Sequence, residues 1–250
     1  MRIEIDGRTA TAEQLGYPAL VNYGHYSSMQ VRDGRVRGLD LHLARLAGAT
    51  RELFDASLDG SLVRDRIRHA LGGTPDASVQ VRIFSPADTP SIMVAVQDPV
   101  DMPAAPWRLT SVRYLRPLAY LKHVGSFGQA YYGRLAEQAG YDDALLTGPD
   151  GLIAETGIAN IGFLTGDTVV WPDAPSLPGI TRQLLERGLG SRSRRRVVTL
   201  ADLDQYDGAF VCNSWGVAPV GQIDGRQLPT DAAATDRLVM LYDAVPADQI

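Results

Sequence analysis

The sequence of 250 residues predicts an α+β fold with two lobes. Short strands bounded by turn signals dominate, and a few amphipathic helices lie between them. A connector rich in Pro, Ala and Asp, Asp98–Pro106, lies near the middle of the chain. These observations predict a smaller domain at residues 1–115 and a larger domain at residues 121–250.

The first lobe is expected to contain hairpins and two helices. Asp6-Gly7 and Asp33-Gly34 follow strand-like runs and are typical of hairpin turns. Asp40 can cap a helix that runs to Phe54, with an inner face made of Leu43, Leu46, Thr50 and Leu53. Ser61 can cap a second helix, which ends at Gly72-Gly73 and points Val63, Ile67 and Leu71 inward. Strands are expected at Arg2–Ile5, Tyr26–Arg32, Val79–Phe84 and Ile92–Val96, with a polar loop at Ser85–Ser91.

The second lobe is expected to be a strand meander with three helices. Helices are predicted from Ser126 to Ala139, from Gly179 onward and over Asp231–Val245. Strands are predicted at Leu109–Tyr114, Ala144–Thr147, Leu152–Ala154, Ile161–Leu164, Thr168–Trp171, Val197–Leu200 and Ala209–Cys212. The basic run Arg192–Arg196 is interpreted as a solvated edge.

Composition excludes several classes of function. A net charge of −5 and a pI of about 5.4 argue against a general nucleic-acid binder. The apolar runs are too short and interrupted for a membrane-spanning helix, and the charged N-terminus does not resemble a signal peptide. Cys212 is the only cysteine, which excludes an internal disulfide and suits a cytoplasmic location. The histidines lack metal-ligand spacing with acids or with Cys212, so no metal site is expected.

The basic residues are unusual, because only one of the 24, Lys122, is a lysine. Arginine stays protonated, whereas lysine can lose its proton and act as a nucleophilic amine. Lys122 follows a strand-like run and precedes a helix, which is a common place for a reactive group. It is therefore a candidate for covalent chemistry, and the alternative is a surface lysine in an ion pair.

Three further elements could hold a phosphorylated aldehyde cofactor. Glu155 ends an apolar run and could bind a protonated ring nitrogen, or it could pair with an arginine. Ile180 and Thr181 open a helix after Gly179, where free backbone N–H groups favour a phosphate. Arg45 could fork onto the same phosphate, or it could lie with its neighbour His42 on a solvated helix face opposite Leu43 and Leu46.

The order of these elements resembles the class IV aminotransferases. The matching motifs are Tyr26-Ser27-Ser28, Leu41 to Leu46, Leu121-Lys122, Asp150 to Glu155, Asn160 to Phe163, Leu177 to Arg182 and Pro219-Val220. This family contains the fold-type IV pyridoxal-phosphate enzymes: branched-chain and D-amino-acid aminotransferases and aminodeoxychorismate lyase. The resemblance spans residues 20–225 and implies a homodimer whose cofactor is pyridoxal 5′-phosphate.

The resemblance also implies roles for individual residues. Lys122 matches the lysine that holds the cofactor as a Schiff base and shuttles the substrate proton. Glu155 matches the carboxylate that keeps the pyridine nitrogen protonated. The residues that match the phosphate site are Arg45, Ile180, Thr181 and Ser214, with Asn213 as an alternative to Ser214. Arg82 occupies a position where family members can bind a substrate carboxylate, and Tyr26 could wall the pocket. The alternatives are an outward-facing arginine and a core aromatic residue.

The resemblance leaves the reaction open between two outcomes. Transamination between an amino acid or amine and a 2-oxo acid is the favoured reaction. Ser27 and Cys212-Asn213 are closer to the lyase branch, which makes β-elimination on an aminodeoxychorismate-like substrate the second hypothesis. Phe127 replaces the tyrosine that branched-chain enzymes place five residues after the lysine. A non-catalytic homologue is disfavoured because both Lys122 and Glu155 are present.

Overall fold

The computed structural model describes residues 1–87 and 89–250. The expected loop Ser85–Ser91 contains Asp88, which lies outside the described residues. The strands are β1 (Arg2–Ile5), β2 (Arg8–Thr9), β3 (His25–Val31), β4 (Arg35–Arg37), β5 (Ala77–Phe84), β6 (Ser91–Gln97), β7 (Trp107–Arg113), β8 (Asp143–Thr147), β9 (Ile153–Thr156), β10 (Asn160–Thr165), β11 (Thr168–Pro172), β12 (Ser193–Arg196), β13 (Gly208–Asn213), β14 (Gly216–Ile223), β15 (Arg226–Gln227) and β16 (Ala247–Gln249). The α-helices are α1 (Ala12–Leu20), α2 (Leu39–Phe54), α3 (Gly60–Leu71), α4 (Phe127–Gln138), α5 (Ile180–Leu189) and α6 (Ala232–Asp243). This mixture of helices and strands confirms the α+β prediction.

Backbone contacts divide the chain into two compact units. The first unit comprises Met1–Val100, Leu121–Gly125 and Pro246–Ile250, and the second comprises Asp101–Tyr120 and Ser126–Val245. Strand β7 therefore belongs to the second unit, because it pairs with β8 and β14. The domain limits inferred from sequence, at residues 115 and 121, place β7 in the smaller domain instead.

The first unit is built on an antiparallel sheet with the strand order β2-β1-β6-β5-β3. Alternation along β3 buries His25, Ser27, Met29 and Val31 on one face and leaves the intervening side chains half-exposed on the other. Helices α2 and α3 cover the buried face, where Leu39, Leu46, Val63 and Ile67 join the sheet residues in one hydrophobic core. Because β3 is the last strand in the order, one of its edges is available for another segment.

Helix α2 differs from its predicted start and orientation. Its N-cap is Gly38, which has a left-handed backbone conformation at φ 68°. Asp40 lies inside the first turn, where the helix dipole stabilises its carboxylate. Its buried face includes Leu46 and Thr50, as predicted, and also His42. The expectation that His42 lies opposite the apolar face is therefore wrong. In α3, Asp59 rather than Ser61 is the N-cap, and its carboxylate accepts a hydrogen bond from the Ser61 N–H.

The second unit is built on a mixed sheet with the strand order β12-β11-β10-β13-β14-β7-β8-β9, to which β15 adds by pairing with β14. The core on the sheet includes Leu109, Leu145, Ile161, Phe163 and Val211. Helices α5 and α6 supply Leu185, Leu189 and Leu238 to a second cluster with Trp171 and Phe210. The two units thus have separate hydrophobic cores.

The basic run forms the outer strand of this sheet. β12 pairs in parallel with β11, and its arginines are exposed. Charged side chains on an edge strand disfavour pairing with another chain. The exposed arginines of β12 agree with the solvated edge that the sequence predicts. The predicted strand Val197–Leu200 is wrong, because the strand lies at Ser193–Arg196 and a 3-10 helix begins at Leu200.

Candidate active site

The segment that carries Lys122 pairs with the open edge of β3. The Tyr26 N–H donates to the Lys122 carbonyl at 2.9 Å, and the Val124 N–H donates to the Gly24 carbonyl at 3.0 Å. An antiparallel bridge joins His25 to His123 between these two bonds. The backbone of the lysine is therefore fixed to the sheet of the first unit.

Three candidate residues form a row across this sheet. Arg82 on β5 lies opposite Tyr26 on β3 in the strand register. The backbone of Tyr26 is hydrogen-bonded on its other side to the backbone of Lys122. The Lys122 Nζ lies 4.7 Å from the centroid of the Tyr26 ring, and the Arg82 Cζ lies 5.7 Å from the same centroid. Both distances are typical of cation–π contacts. The structure therefore brings Lys122, Tyr26 and Arg82 together, on the face of the sheet opposite the core.

A chain of two side-chain hydrogen bonds orients Arg82 through Gln80 and Ser28. The Arg82 Nε donates to the Gln80 Oε1 at 2.6 Å, and the Gln80 Nε2 donates to the Ser28 Oγ at 3.3 Å. Both neighbours lie on the same face of the sheet, because they are two residues from Arg82 and Tyr26 along their strands. This contact orients a guanidinium fork beside Lys122, as a carboxylate ligand requires. Gln80 was not identified from sequence, since a single glutamine in a strand carries no pattern.

Arg45 extends from α2 to the buried face of β3. One guanidinium nitrogen, Nη2, donates to the Ser27 Oγ, and the same oxygen lies 2.7 Å from the His42 Nδ1. The Arg45 Nε is enclosed and has no hydrogen-bond partner among the described residues. Burial lowers the pKa of Arg45 to about 10, against the opposing effect of Tyr26, so the group remains a cation at neutral pH. An enclosed cation with an unused donor fits an anion such as a phosphate.

The two histidines near Arg45 are neutral. Burial, and then the charge of Arg45, lowers the pKa of His25 from 6.5 to about 4. Burial likewise lowers the pKa of His42 well below 6.5, with smaller contributions from Arg45 and Lys122. The His25 Nε2 lies 3.0 Å from the Thr50 Oγ1, so the ring has a hydrogen-bond partner in α2. At pH 7 the positive charge at this end of α2 therefore belongs to Arg45.

Glu155 lies in the second unit, on the fully buried strand β9. Its Oε1 accepts a hydrogen bond from the Arg116 Nη1 at 3.1 Å, and its Oε2 accepts one from the Leu177 N–H at 3.1 Å. The two charged side chains are only 5% and 6% exposed. A carboxylate with a buried arginine partner is ionised and fixed in orientation, as a ligand for a ring N–H must be. Arg116 was not identified from sequence, because it lies 39 residues away in a segment without a periodic pattern.

The start of α5 is joined to the turn between β13 and β14. The Thr181 hydroxyl donates to the Asn213 carbonyl at 2.6 Å. The Thr181 hydroxyl hydrogen is therefore not available to a phosphate at the start of α5. Such a phosphate would be bound by the backbone N–H groups of Ile180 and Thr181, because the first intrahelical hydrogen bond is donated by Gln183. A Cβ on Gly179 would lie 2.1 Å from the Asn160 Oδ1, so only glycine permits this close approach.

The same turn contains the two alternatives for a further phosphate ligand. The Asn213 Oδ1 accepts a hydrogen bond from the Trp215 N–H at 2.8 Å, so this side chain stabilises the turn itself. Ser214 is half-buried, and its hydroxyl makes no hydrogen bond to the part of the chain that the structure describes. This difference favours Ser214 as the hydroxyl ligand.

Taken unit by unit, the donor set fits pyridoxal 5′-phosphate. The first unit supplies a primary amine in Lys122 and an enclosed cation in Arg45. The second supplies an ionised carboxylate in Glu155 and the N–H groups at the start of α5. Phe127, in the position of the tyrosine of branched-chain enzymes, is 79% exposed at the start of α4.

Residues 1–87 and 89–250 contain neither a metal-binding cluster nor a helix that could span a membrane. These residues contain no cluster of three or more histidine, cysteine or acidic side chains that could bind a metal ion. None of their helices combines the length and the apolar character needed to cross a membrane.

Known proteins are similar to this chain in sequence and in fold. Residues 24–223 match the family model described as amino-transferase class IV. A probable branched-chain-amino-acid aminotransferase of Rickettsia felis is 38% identical over 80 residues, which are 30% of this chain and 28% of that protein. The curated relatives are thus matched over less than a third of their own lengths.

Two solved structures share the fold at low sequence identity. A hypothetical aminotransferase from Mycobacterium tuberculosis, in a PLP-bound form, is 20% identical with a TM-score of 0.83 over 98% of both chains. A putative 4-amino-4-deoxychorismate lyase from Legionella pneumophila is 20% identical with a TM-score of 0.81, over 92% of this chain and 93% of that one. The family model covers most of the chain, including every candidate residue described above. The chain therefore belongs to the class IV aminotransferases, the family of pyridoxal-phosphate enzymes that its motifs resemble.

Proposed function

We propose that this protein is an aminotransferase that moves an amino group between an amino acid or amine and a 2-oxo acid. The observation that carries the proposal is the position of Lys122. The only lysine of the chain is tied by its backbone to β3, with its amine over Tyr26 in a row with Arg82. Such a row offers a nucleophilic amine beside a cation that can bind a substrate carboxylate.

The cofactor-binding residues are proposed as follows. Bound pyridoxal 5′-phosphate supplies an electrophilic aldehyde and a ring that accepts electron density from the substrate Cα. Lys122 would hold the aldehyde carbon covalently, with loss of water, and, once the substrate amine displaces it, the freed lysine would move the proton at the substrate Cα. Glu155, held by Arg116, keeps a proton on the ring nitrogen. The phosphate is bound by Arg45, by the N–H groups of Ile180 and Thr181 and by the Ser214 hydroxyl.

The substrate-binding residues are proposed to be Arg82 and Tyr26. The Arg82 fork, oriented by Gln80, binds a carboxylate of the amino donor or of the 2-oxo acid. The Tyr26 ring is within cation–π distance of both Lys122 and Arg82 and forms one wall of the pocket. Arg82→Ala should therefore raise the KM for carboxylate substrates more than for amines that lack a carboxylate.

We also propose that the active form is a cytoplasmic homodimer. The family resemblance supports the dimer, and a single buried cysteine, Cys212, suits a reducing compartment. Light scattering of the purified holoprotein tests the dimer. A monomer at micromolar concentration would contradict it.

The second candidate function is an aminodeoxychorismate lyase-like β-elimination. Ser27 and Cys212-Asn213 favour it, and the Legionella pneumophila protein with the same fold is described as a putative lyase. The two reactions differ in the state of the cofactor after one turnover. A transaminase retains the amino group on the cofactor, whereas a lyase releases it.

The experiment is a single turnover with amino donors and no acceptor, followed by chromatography of the released cofactor. The proposal predicts stoichiometric pyridoxamine phosphate, which a 2-oxo acid converts back to pyridoxal phosphate. Lys122→Ala is the matched control and should give no conversion. If no donor converts the cofactor while aminodeoxychorismate yields pyruvate, the lyase reading replaces the aminotransferase.

A further inference from the structure

The N-cap of α5 is Gly179, a residue without a side chain that could cap the helix. The free N–H groups of Ile180 and Thr181, which are the proposed phosphate ligands, therefore depend on contacts outside the helix for their position. One such contact is the hydrogen bond from the Thr181 hydroxyl to the Asn213 carbonyl. The segment that precedes the helix has a different anchor.

That anchor is at Leu177, two residues before Gly179, where buried side chains bind both polar groups of the backbone. The Leu177 N–H donates to the Glu155 Oε2 at 3.1 Å, and the Leu177 carbonyl accepts from the Asn160 Nδ2 at 2.9 Å. The same carbonyl accepts from the Gly179 N–H at 2.9 Å. Glu155 and Asn160 are each only 5% exposed, so both side-chain bonds are shielded from water. Leu177 is thus held from two sides directly before α5.

Glu155 and Asn160 reach the same residue because they flank one turn. The Thr156 N–H donates to the Ala159 carbonyl at 2.8 Å, which closes the turn between β9 and β10. The residues that flank such a closing pair lie opposite each other, with their side chains on the same face. The turn therefore brings the carboxylate and the amide together to the backbone of Leu177.

We propose that Asn160 is a positioning residue that fixes the segment before α5 and so preorganises the N–H groups of the helix for the cofactor phosphate. The Asn160 Oδ1 also lies so close to Gly179 that an added Cβ would overlap it, which places the amide against the N-cap itself. The inference rests on the proposed function, because the phosphate is that of the cofactor. It gives a role to a buried amide that is not among the proposed ligands.

The first test compares two ligands that differ only in the phosphate. The dissociation constants of pyridoxal 5′-phosphate and of pyridoxal are measured by absorbance on cofactor-depleted protein. Asn160→Ala loses the donor to the Leu177 carbonyl, so it should weaken pyridoxal phosphate by about two- to tenfold, the effect of one hydrogen bond. Asn160→Asp places an acceptor against that carbonyl and should weaken it on the order of tenfold or more. Pyridoxal should bind Asn160→Ala as before, because Arg116 still holds Glu155.

Hydrogen exchange of the cofactor-free proteins tests the position of the segment without a ligand. The amide hydrogens of residues 177–183 should exchange faster in Asn160→Ala than in the natural protein, whereas those of β7 and β8 should not change. Thr165→Ala is the matched control, because it truncates an exposed side chain at the other end of β10. It should alter neither the exchange nor the two dissociation constants.

Three results would overturn the inference. If Asn160→Ala weakens both ligands equally, the amide stabilises the unit as a whole and does not position the phosphate site. If the exchange of residues 177–183 is the same in Asn160→Ala and in the natural protein, Asn160 does not hold the segment. If the natural protein binds neither ligand, the proposed function fails, and the role of Asn160 at a phosphate site fails with it.

Discussion

The buried pair of Arg116 and Glu155 allows the clearest prediction of energy from the structure. Glu155→Gln keeps the size of the side chain and the acceptor for the Leu177 N–H, but it removes the negative charge. Arg116, with its side chain 5% exposed, then loses the carboxylate at 3.1 Å. Removing one partner of a buried ion pair costs about 3–5 kcal/mol. Because the single Gln oxygen serves the Leu177 N–H, the amide NH2 faces Arg116, and we expect a loss of about 3–5 kcal/mol in the free energy of unfolding.

The assay is urea unfolding of cofactor-depleted protein, followed by tryptophan fluorescence. The double variant Arg116→Met/Glu155→Gln should lose less stability than Glu155→Gln alone, since no cation is left without its carboxylate. Asp65→Asn is the matched control. It breaks an exposed pair with Arg68, whose side chains are 57% and 62% exposed, and should cost less than about 1 kcal/mol. Equal costs for Glu155→Gln and Asp65→Asn, or a double variant no more stable than Glu155→Gln, would contradict this prediction.

Three further predictions concern other buried groups. The pKa of His25 is about 4 in the folded protein and 6.5 when unfolded, so the unfolded chain binds more protons between these values. His25 should therefore contribute a loss of about 3 kcal/mol in stability as the pH drops from 6.5 to 4, in addition to the loss due to His42. His25→Gln should remove the His25 share, and an unchanged pH profile of this variant in urea titrations would contradict the prediction. Burial raises the pKa of the Cys212 thiol to about 12, so a thiol reagent should react only with the unfolded protein. Rapid labelling of Cys212 in the native protein would contradict this prediction. Gly179→Ala should cost about 1–3 kcal/mol in urea unfolding, because the added Cβ would meet Asn160. Gly48→Ala, which has open space around the added Cβ, should be neutral or stabilising. Similar effects of the two variants would disprove the steric explanation.

The elements with a regular pattern were predicted well from the sequence. Strand β3 leads into the Asp33-Gly34 turn, and α4 has a Gly stop signal, so both were placed to within one or two residues. Helix α1 was missed, because Gly16 and Pro18 suppress a helical signal that only the capping box of Thr11 and Gln14 supports. Strand β14 was missed for a similar reason, since it contains two glycines and a proline.

The candidate site residues were chosen where the sequence matches a family pattern, and the neighbours that they meet through space were missed. Tyr26 and Lys122 were identified from motif order and Arg82 from its position in a predicted strand, and the sheet register then brings them together. Arg116 and Gln80 do not belong to any motif, and their contacts depend on tertiary packing. No sequence spacing encodes such contacts.

The covalent bond proposed between Lys122 and the cofactor can be tested by borohydride reduction. The purified protein is loaded with pyridoxal phosphate, reduced, digested and analysed by mass spectrometry. Because Lys122 is the only lysine, we expect a single cofactor adduct on the peptide that contains it, and no side-chain adduct in Lys122→Ala. An adduct found only at the Met1 amine, or no adduct at all, would show that Lys122 does not bind the cofactor.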